Sequence, residues 1–235
     1  MTARRTIGLA AVVALGALLL AAKPSGTSKE GDVAVGPQSP DDYMTLVGTF
    51  VDLGKFPEAM ETIEEGERKF PSSAGFHFMR GYVLHKQRKF ADAWYHYQYE
   101  AMKVGVARPL GAMAAKGSAA IVENERGPDV DEIRRVMRAL SEAKDAKRQL
   151  SELQAVEQFR GARPVLTLWI AEAKARTGDA KGAIALYDKV LKQDRFFVPA
   201  YVGKAQIAAK SGNKKQQGDI LAQAKKIDPE HWALK

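Results

Sequence analysis

Apolar and small residues recur along this chain at a helical period, with polar residues between them, and the pattern itself repeats after about 34 residues. A shift of that length places Phe56 on Phe90 and Ala59 on Ala93. Small residues at such positions let two helices cross closely, whereas larger side chains would hold them apart. The pattern therefore predicts pairs of amphipathic helices joined by short turns.

Glycine and proline mark the ends of these predicted helices. Gly54, Gly178 and Gly212 lie where the first helix of a pair must stop, because glycine adopts left-handed backbone angles without a Cβ penalty. Pro71 and Pro229 end the second helix of a pair, because proline lacks the N–H group that the next turn needs. Gly178 and Gly212 are separated by the same interval, so the C-terminal region also contains two pairs.

These positions resemble the repeat of the tetratricopeptide repeat (TPR) family. The first unit carries the family's aromatic, small and proline positions as Tyr43, Leu46, Phe50, Gly54, Phe56, Ala59, Ile63 and Pro71. The second unit carries Gly81, Leu84, Phe90, Ala93 and Tyr97. The third and fourth units depart from the pattern at Arg195, where the family has proline, and at Gln217, where it has alanine. The resemblance implies an all-α fold, a TPR-like α-solenoid of helical hairpins with a non-repeat helical middle segment.

Changes in composition divide the chain into five stretches. Residues 1–22 form an apolar signal anchor or signal peptide, and residues 23–40, rich in Pro, Gly and Ser, form a flexible tether. Residues 41–106 hold two TPR units. Residues 107–163 form a degenerate repeat or a long amphipathic helical insert, and residues 164–235 hold two more units with a C-terminal cap.

The N-terminal segment predicts export from the cytoplasm. Arg4 and Arg5 precede an apolar run that ends at Ala22, and a cut after Ala22 would place Leu20 where signal peptidase needs a small residue. An uncleaved anchor is therefore favoured over a removed signal. Basic residues before the run stay cytoplasmic, so the rest of the chain is expected in the cell envelope, on the periplasmic or extracytoplasmic face of the inner membrane, or secreted if the signal is cleaved.

The middle of the chain follows a helical period without matching the repeat. From Val130 to Phe159 the apolar positions predict one amphipathic helix of about thirty residues, or two if it breaks near Ser141 or Ser151. Asp129 and Glu132 have the spacing of a capping box at its start.

A surplus of aromatic residues lies just before this middle segment. Trp94, Tyr95 and Tyr99 are not needed by the repeat core, so we expect the segment that follows to cover them, or a partner to bind there. At the other end of the chain, Trp232 and Leu234 are expected to cover the last unit.

Composition argues against several functions. The formal charge is +8, but the excess lysines are scattered around helical faces, so nucleic-acid binding is not expected. The chain has no cysteine and no nucleophile, phosphate-loop, dinucleotide or metalloprotease motif. His77 and His85 are too far apart on one helix to share a metal ion. We therefore expect no enzyme activity, no cofactor and no metal.

The TPR resemblance implies a concave groove lined by the first helix of each unit. The family's groove positions fall on Met44, Gly48, Asp52, Phe78, Tyr82, His85, Lys86, Leu168, Glu172, Arg176, Val202, Gln206 and Lys210. The family members that hold chaperone C-termini use basic and amide side chains where this chain has Met44, Phe78 and Leu168. The groove is therefore expected to accept an apolar peptide or partner helix, unless the middle segment itself covers some of these side chains.

The resulting hypothesis is a membrane-tethered, extracytoplasmic TPR scaffold that binds a protein partner in its groove and helps to assemble an envelope complex. The alternative is a structural protein that forms homo-oligomers through the Val130 to Phe159 helix.

Overall fold

The computed structural model describes residues 36–141 and 145–235. The predicted anchor and most of the predicted tether lie outside these residues. Within them the chain forms eleven α-helices, a C-terminal 3₁₀ turn at Trp232–Leu234 and no β-strand. The helices are α1 Pro40–Asp52, α2 Phe56–Lys69, α3 Phe76–Lys86, α4 Phe90–Val104, α5 Pro109–Asn124, α6 Pro128–Ser141, α7 Ala146–Arg160, α8 Pro164–Arg176, α9 Ala180–Gln193, α10 Val198–Lys210 and α11 Lys214–Ile227. The predicted all-α class is confirmed.

Local signals in the sequence set the ends of the repeat helices. Ser39 accepts a hydrogen bond from the Asp42 amide, and the Asp42 carboxylate accepts one from the Ser39 amide, which forms a capping box at the start of α1. Gly54, Gly178 and Gly212 follow α1, α8 and α10 with φ of +70°, +93° and +76°. These left-handed conformations are the ones that the sequence predicted for the turns inside each pair.

The helices pair as hairpins in the two predicted regions. In the described residues α1 packs on α2, α3 on α4, α8 on α9 and α10 on α11. A first hydrophobic core lies between α1, α2 and α3, and its completely buried members include Tyr43, Val47 and Ile63.

Helix α4 lies at the centre of the described structure. It contacts α3, α5, α6, α8 and α10, and a second, larger core runs from α3 and α4 to α10. Trp94, Tyr95 and Tyr99 are each at most 3% exposed in this core. The predicted covering of these aromatic residues is confirmed, but α8 and the Phe197 region contribute to it as well as the middle segment.

Between Val130 and Phe159 the middle segment contains two helices rather than one long one. Helix α6 ends at Ser141, α7 begins at Ala146 and the two pack against each other, so the prediction of a single helix was wrong and the predicted break near Ser141 is found. Asp145 caps α7 by accepting hydrogen bonds from the amides of Lys147 and Arg148. The apolar period continues through this region because both helices bury their apolar faces in the same core.

Asp129 and Glu132 do not form the predicted capping box. Both carboxylates instead accept hydrogen bonds from the guanidinium of Arg160 at the end of α7. Asp129 also accepts a hydrogen bond from the amide of Ala91, and Glu132 accepts one from the Tyr95 hydroxyl at 3.3 Å. The two carboxylates therefore connect α6 to α4 and α7 and do not cap the start of α6.

The C-terminus covers the end of α4. His231 is completely buried and its Nε2 lies 2.9 Å from the carbonyl oxygen of Lys103. Trp232 donates from Nε1 to the carbonyl oxygen of Met102 at 2.9 Å and packs over Gly105. The predicted cap thus joins the last repeat to the second one. In the part of the chain that the structure describes, no helix is both long enough and apolar enough to cross a membrane.

Candidate functional site

The first two units bring their predicted groove residues onto neighbouring helices. Met44 on α1 packs over Gly75, the residue before α3, and a Cβ atom added there would lie 2.4 Å from Met44 Sδ. Leu110 of α5 lies 3.7 Å from the same point. Helices α1, α3 and α5 therefore lie side by side, as the predicted groove requires, with Met44 and Leu110 at one end. We call this surface the α1–α3–α5 groove.

Aromatic side chains form the middle of the groove. Phe78 and Tyr82 on α3 are partly buried, and the Phe78 ring lies 5.6 Å from the ring of Tyr97 on α4. Added Cβ atoms at Gly81 and Gly117 would lie 2.8 Å and 2.9 Å from Tyr97 carbons. Tyr97 is thus wedged between α3 and α5, and its ring fixes the spacing of the two helices.

Glycine leaves space in the wall formed by α1. Gly48 follows Met44 by one helical turn, and a Cβ atom added at Gly48 would meet nothing within 4 Å. The groove is therefore open at this position.

The other end of the groove is polar. Lys86 Nζ lies 5.3 Å from the centre of the Tyr82 ring, and Lys86 and Asp52 are both exposed. Burial lowers the pKa of His85, while the nearby carboxylate of Glu125 opposes that shift. This end carries both charges and hydrogen-bonding groups, so the two ends of the groove differ chemically.

A buried carboxylate holds the start of α3 in place. Glu100 on α4 is 1% exposed and accepts the amides of Gly75 at 2.9 Å and Phe78 at 3.3 Å. No side chain within α3's own N-terminal turn caps that helix. Burial raises the pKa of Glu100, while the Gly75 amide and then Lys103 oppose the shift. Glu100 thus positions the helix that presents Phe78 and Tyr82.

A histidine pair joins α3 and α4 behind the groove. The Nδ1 atoms of His77 and His96 lie 3.0 Å apart, and the His77 ring lies 4.0 Å from the Tyr99 ring. One imidazole must donate and the other accept, so the bond needs at least one deprotonated Nδ1. Sequence reasoning missed this pair, because it compared histidines within one predicted helix and not across a hairpin.

The groove residues predicted in the third and fourth units are arranged differently. Leu168 is completely buried in the larger core, so its assignment to the groove was wrong. Helix α8 is buried around its first two turns because α4, α7, α9 and α10 all contact it. The predicted continuous groove is therefore interrupted at α8.

The remaining predicted residues of α8 and α10 lie nearer the surface. Val202 is partly buried, whereas Glu172, Arg176, Gln206 and Lys210 are exposed. Arg176 donates to Gln149 of α7 at 2.8 Å. Glu172 is reached by solvent, yet the protein around its carboxyl disfavours the charged form and raises its pKa to about 7, with Arg176 opposing the shift.

The described residues contain no group of three or more His, Asp or Glu side chains that could hold a metal ion.

The fold is that of a helical-repeat protein built from hairpins. Residues 46–102, from α1 to α4, match the family model described as tetratricopeptide repeat. This match supports the TPR resemblance for the two units that form most of the groove. No curated protein matches the chain as a sequence relative.

Solved TPR structures are similar to the chain at low identity. The TPR protein YrrB, described as having an unusual peptide-binding site, is 15% identical over 83% of this chain and 90% of its own, with a TM-score of 0.40. A thermophilic TPR protein in Thermus thermophilus is 15% identical over 83% of this chain and 95% of its own, with a TM-score of 0.35. The TPR2AB domain of yeast Sti1, in complex with pHSP90, is 16% identical over 82% of this chain and 79% of its own, with a TM-score of 0.35. At these values the likeness concerns the helical-repeat architecture alone.

Proposed function

We propose that this protein is a non-catalytic TPR scaffold that binds an apolar segment of a partner protein in the α1–α3–α5 groove. The observation that carries the proposal is the set of partly buried side chains of Met44, Phe78 and Tyr82 on the neighbouring helices α1 and α3, together with the open space at Gly48 on α1. Aromatic residues in a preformed concave surface are the usual anchors of protein recognition.

The groove favours an occupant with two unlike ends. An aliphatic or aromatic side chain fits against Phe78 and into the space at Gly48, where it loses contact with water. Covering one such side chain contributes about 1.5–3 kcal/mol. At the polar end, Asp52 and Lys86 can pair with charged or amide groups and so set the direction of the bound segment.

A substitution that fills the groove tests the proposal without removing a core residue. Gly48→Trp places a large ring in the open space, and Gly218→Trp is the matched control, because Gly218 on α11 also has nothing within 4 Å of an added Cβ. Proteins captured from membranes by the full chain are compared for the two variants and for Phe78→Ala with Tyr82→Ala. We expect the groove partner to be lost with Gly48→Trp and with the alanine pair, and retained with Gly218→Trp. An unchanged set of captured proteins with Gly48→Trp would contradict groove binding.

We propose further that residues 1–22 hold this scaffold at a membrane, with the repeats outside the cytoplasm, where it helps to assemble an envelope complex. The support is the apolar run itself, with Arg4 and Arg5 before it. A reporter enzyme that is active only outside the cytoplasm, fused after Lys235, tests the orientation. Activity confined to a cytoplasmic reporter at the same position would refute it.

A further inference from the structure

Two arginines of α6 differ from most others in the chain. Arg80 pairs with Glu67, Arg108 with Asp228 and Arg160 with Asp129. Arg135 and Arg138 are exposed, and within residues 36–141 and 145–235 neither side chain makes an ion pair or a hydrogen bond. Their guanidinium groups are therefore available to a ligand.

These two side chains converge with a third arginine between α6 and α7. Arg135, Arg138 and Arg148 line a cavity of about 50 Å³, with Glu152 as its one carboxylate. Lys147, next to Arg148 at the start of α7, is also exposed. Among the residues that line this cavity, positive groups outnumber negative ones, and carboxylates of a ligand could pair with Arg135 and Arg138. Guanidinium groups suit this role because each can hold a carboxylate through two parallel hydrogen bonds.

A row of four side chains, which we call the stripe, continues the same face of α7 to an apolar end. Arg148, Glu152, Ala155 and Phe159 follow one another at steps of four, three and four residues, which places them on one side of a helix. Phe159 is 81% exposed, the highest fraction among the large apolar side chains described as exposed. At 1.5 Å per residue the stripe is about 16 Å long. A surface of this kind is basic at one end and aromatic at the other.

We infer that this surface, which we call the arginine–Phe159 face, binds an acidic amphipathic helix of a partner protein. Carboxylates on that helix pair with Arg135 and Arg138, and an apolar side chain covers Phe159. The length of the face and its apolar end favour a helix over a single phosphate group or a lipid headgroup, neither of which would use Phe159. The face lies on α6 and α7, away from the α1–α3–α5 groove, so the inference does not rest on the proposed function.

The test uses the full chain in nanodiscs of neutral phosphatidylcholine and a synthetic helical peptide with glutamates on one face and leucines beside them. Fluorescence anisotropy measures the dissociation constant. We expect Arg135→Glu with Arg138→Glu to weaken binding by about tenfold or more, and Phe159→Ala by about threefold. The matched control, Lys225→Glu with Lys226→Glu on α11, makes the same change of net charge at exposed positions and is expected to change binding by less than about twofold.

Three results would overturn the inference. Equal weakening by the α6 and α11 reversals would mean that net charge alone attracts the peptide. Absence of peptide binding would exclude the face as an acidic-helix site. Binding of inorganic phosphate or phosphatidylglycerol vesicles that depends on Arg135 and Arg138 but not on Phe159 would assign the arginines to a different ligand.

Unfolding midpoints that match the wild type show that each variant remains folded. If the double charge reversal does not fold, Arg135→Gln with Arg138→Gln replaces it. Gly48→Trp is expected to leave peptide binding unchanged, which separates this inference from the groove.

Discussion

The ring of Tyr99 stacks on the ring of Phe197, with centroids 4.5 Å apart and planes 21° apart. The Tyr99 hydroxyl donates to Asp194 Oδ2 at 2.7 Å, and Lys103 Nζ lies 2.8 Å from the same oxygen. The Lys103 and Asp194 side chains are only 9% and 12% exposed. This cluster joins the second helical hairpin, α3 and α4, to the loop between α9 and α10, so the two predicted halves of the protein share one core.

Truncating either ring should destabilise the whole chain. Tyr99→Ala and Phe197→Ala are each expected to lower the free energy of unfolding by about 3–5 kcal/mol, because each leaves a cavity in the core. The double variant is expected to lose less than the sum, because the two rings contact each other. Urea denaturation measures all three values. Phe159→Ala, at an exposed position, is the control and should cost less than about 0.5 kcal/mol. Additive losses would show that the stacking does not couple the halves.

Glu100 should be needed for the stability of α3. Glu100→Ala leaves the amides of Gly75 and Phe78 without this acceptor, at a cost of about 1–3 kcal/mol for the buried Gly75 amide and less for the partly buried Phe78 amide. Glu100→Gln keeps one oxygen and is expected to cost less. Denaturation curves give these differences, and hydrogen exchange at the Phe78 amide locates them. Unchanged protection of that amide in Glu100→Ala would contradict the capping role. Glu123→Ala, on the exposed surface of α5, is the control.

The histidine pair should make stability depend on pH. Burial lowers the pKa of His96 to about 3 and that of His77 well below its usual value, and the charge of Arg80 adds to both shifts. In the unfolded chain both imidazoles titrate near 6.5. Below that pH the unfolded state therefore binds protons that the folded state does not bind. Stability therefore falls as pH decreases from about 7 toward 3.

Replacing both histidines tests this dependence. Between pH 7 and pH 5 the wild type should lose up to about 4 kcal/mol more unfolding free energy than His77→Asn with His96→Asn. Taking the difference between the proteins at each pH removes the contribution of Glu172, whose raised pKa acts in the opposite direction. His85→Asn, which removes one partly buried imidazole, should change the slope much less. Parallel pH profiles for the wild type and the double variant would disprove the role of the pair.

Two helical glycines should respond oppositely to alanine. Gly48→Ala should raise the free energy of unfolding by about 0.5–1 kcal/mol, because alanine favours the helix and its Cβ meets nothing within 4 Å. Gly66→Ala should lower it by about 1–3 kcal/mol, because its Cβ would lie 2.3 Å from Cε1 of the buried Phe76 ring. Thermal unfolding of the two variants measures the contrast. A loss of stability in Gly48→Ala would show that the groove wall is packed and not open.

The repeats could be predicted because their signals are local. Gly54 and Gly212 end helices through their own backbone preference, and Ser39 caps α1 through residues next to it. The packing of the two halves could not be predicted, because Leu168 has the same spacing whether its helix faces solvent or a core. The helix period likewise says nothing about a reversal of chain direction between Ser141 and Ala146. The His77–His96 contact depends on how α3 and α4 are rotated against each other, which no single-helix pattern records.

The position of α4 has a consequence for synthesis. Tyr99 meets Asp194 across 95 residues, and Lys103 meets His231 across 128. At ribosomal rates of about 5–20 residues per second, the aromatic side of α4 waits on the order of 5–20 s for Asp194 to be made. The nascent chain therefore exposes part of the aromatic side of α4 until Asp194 and Phe197 have emerged from the ribosome.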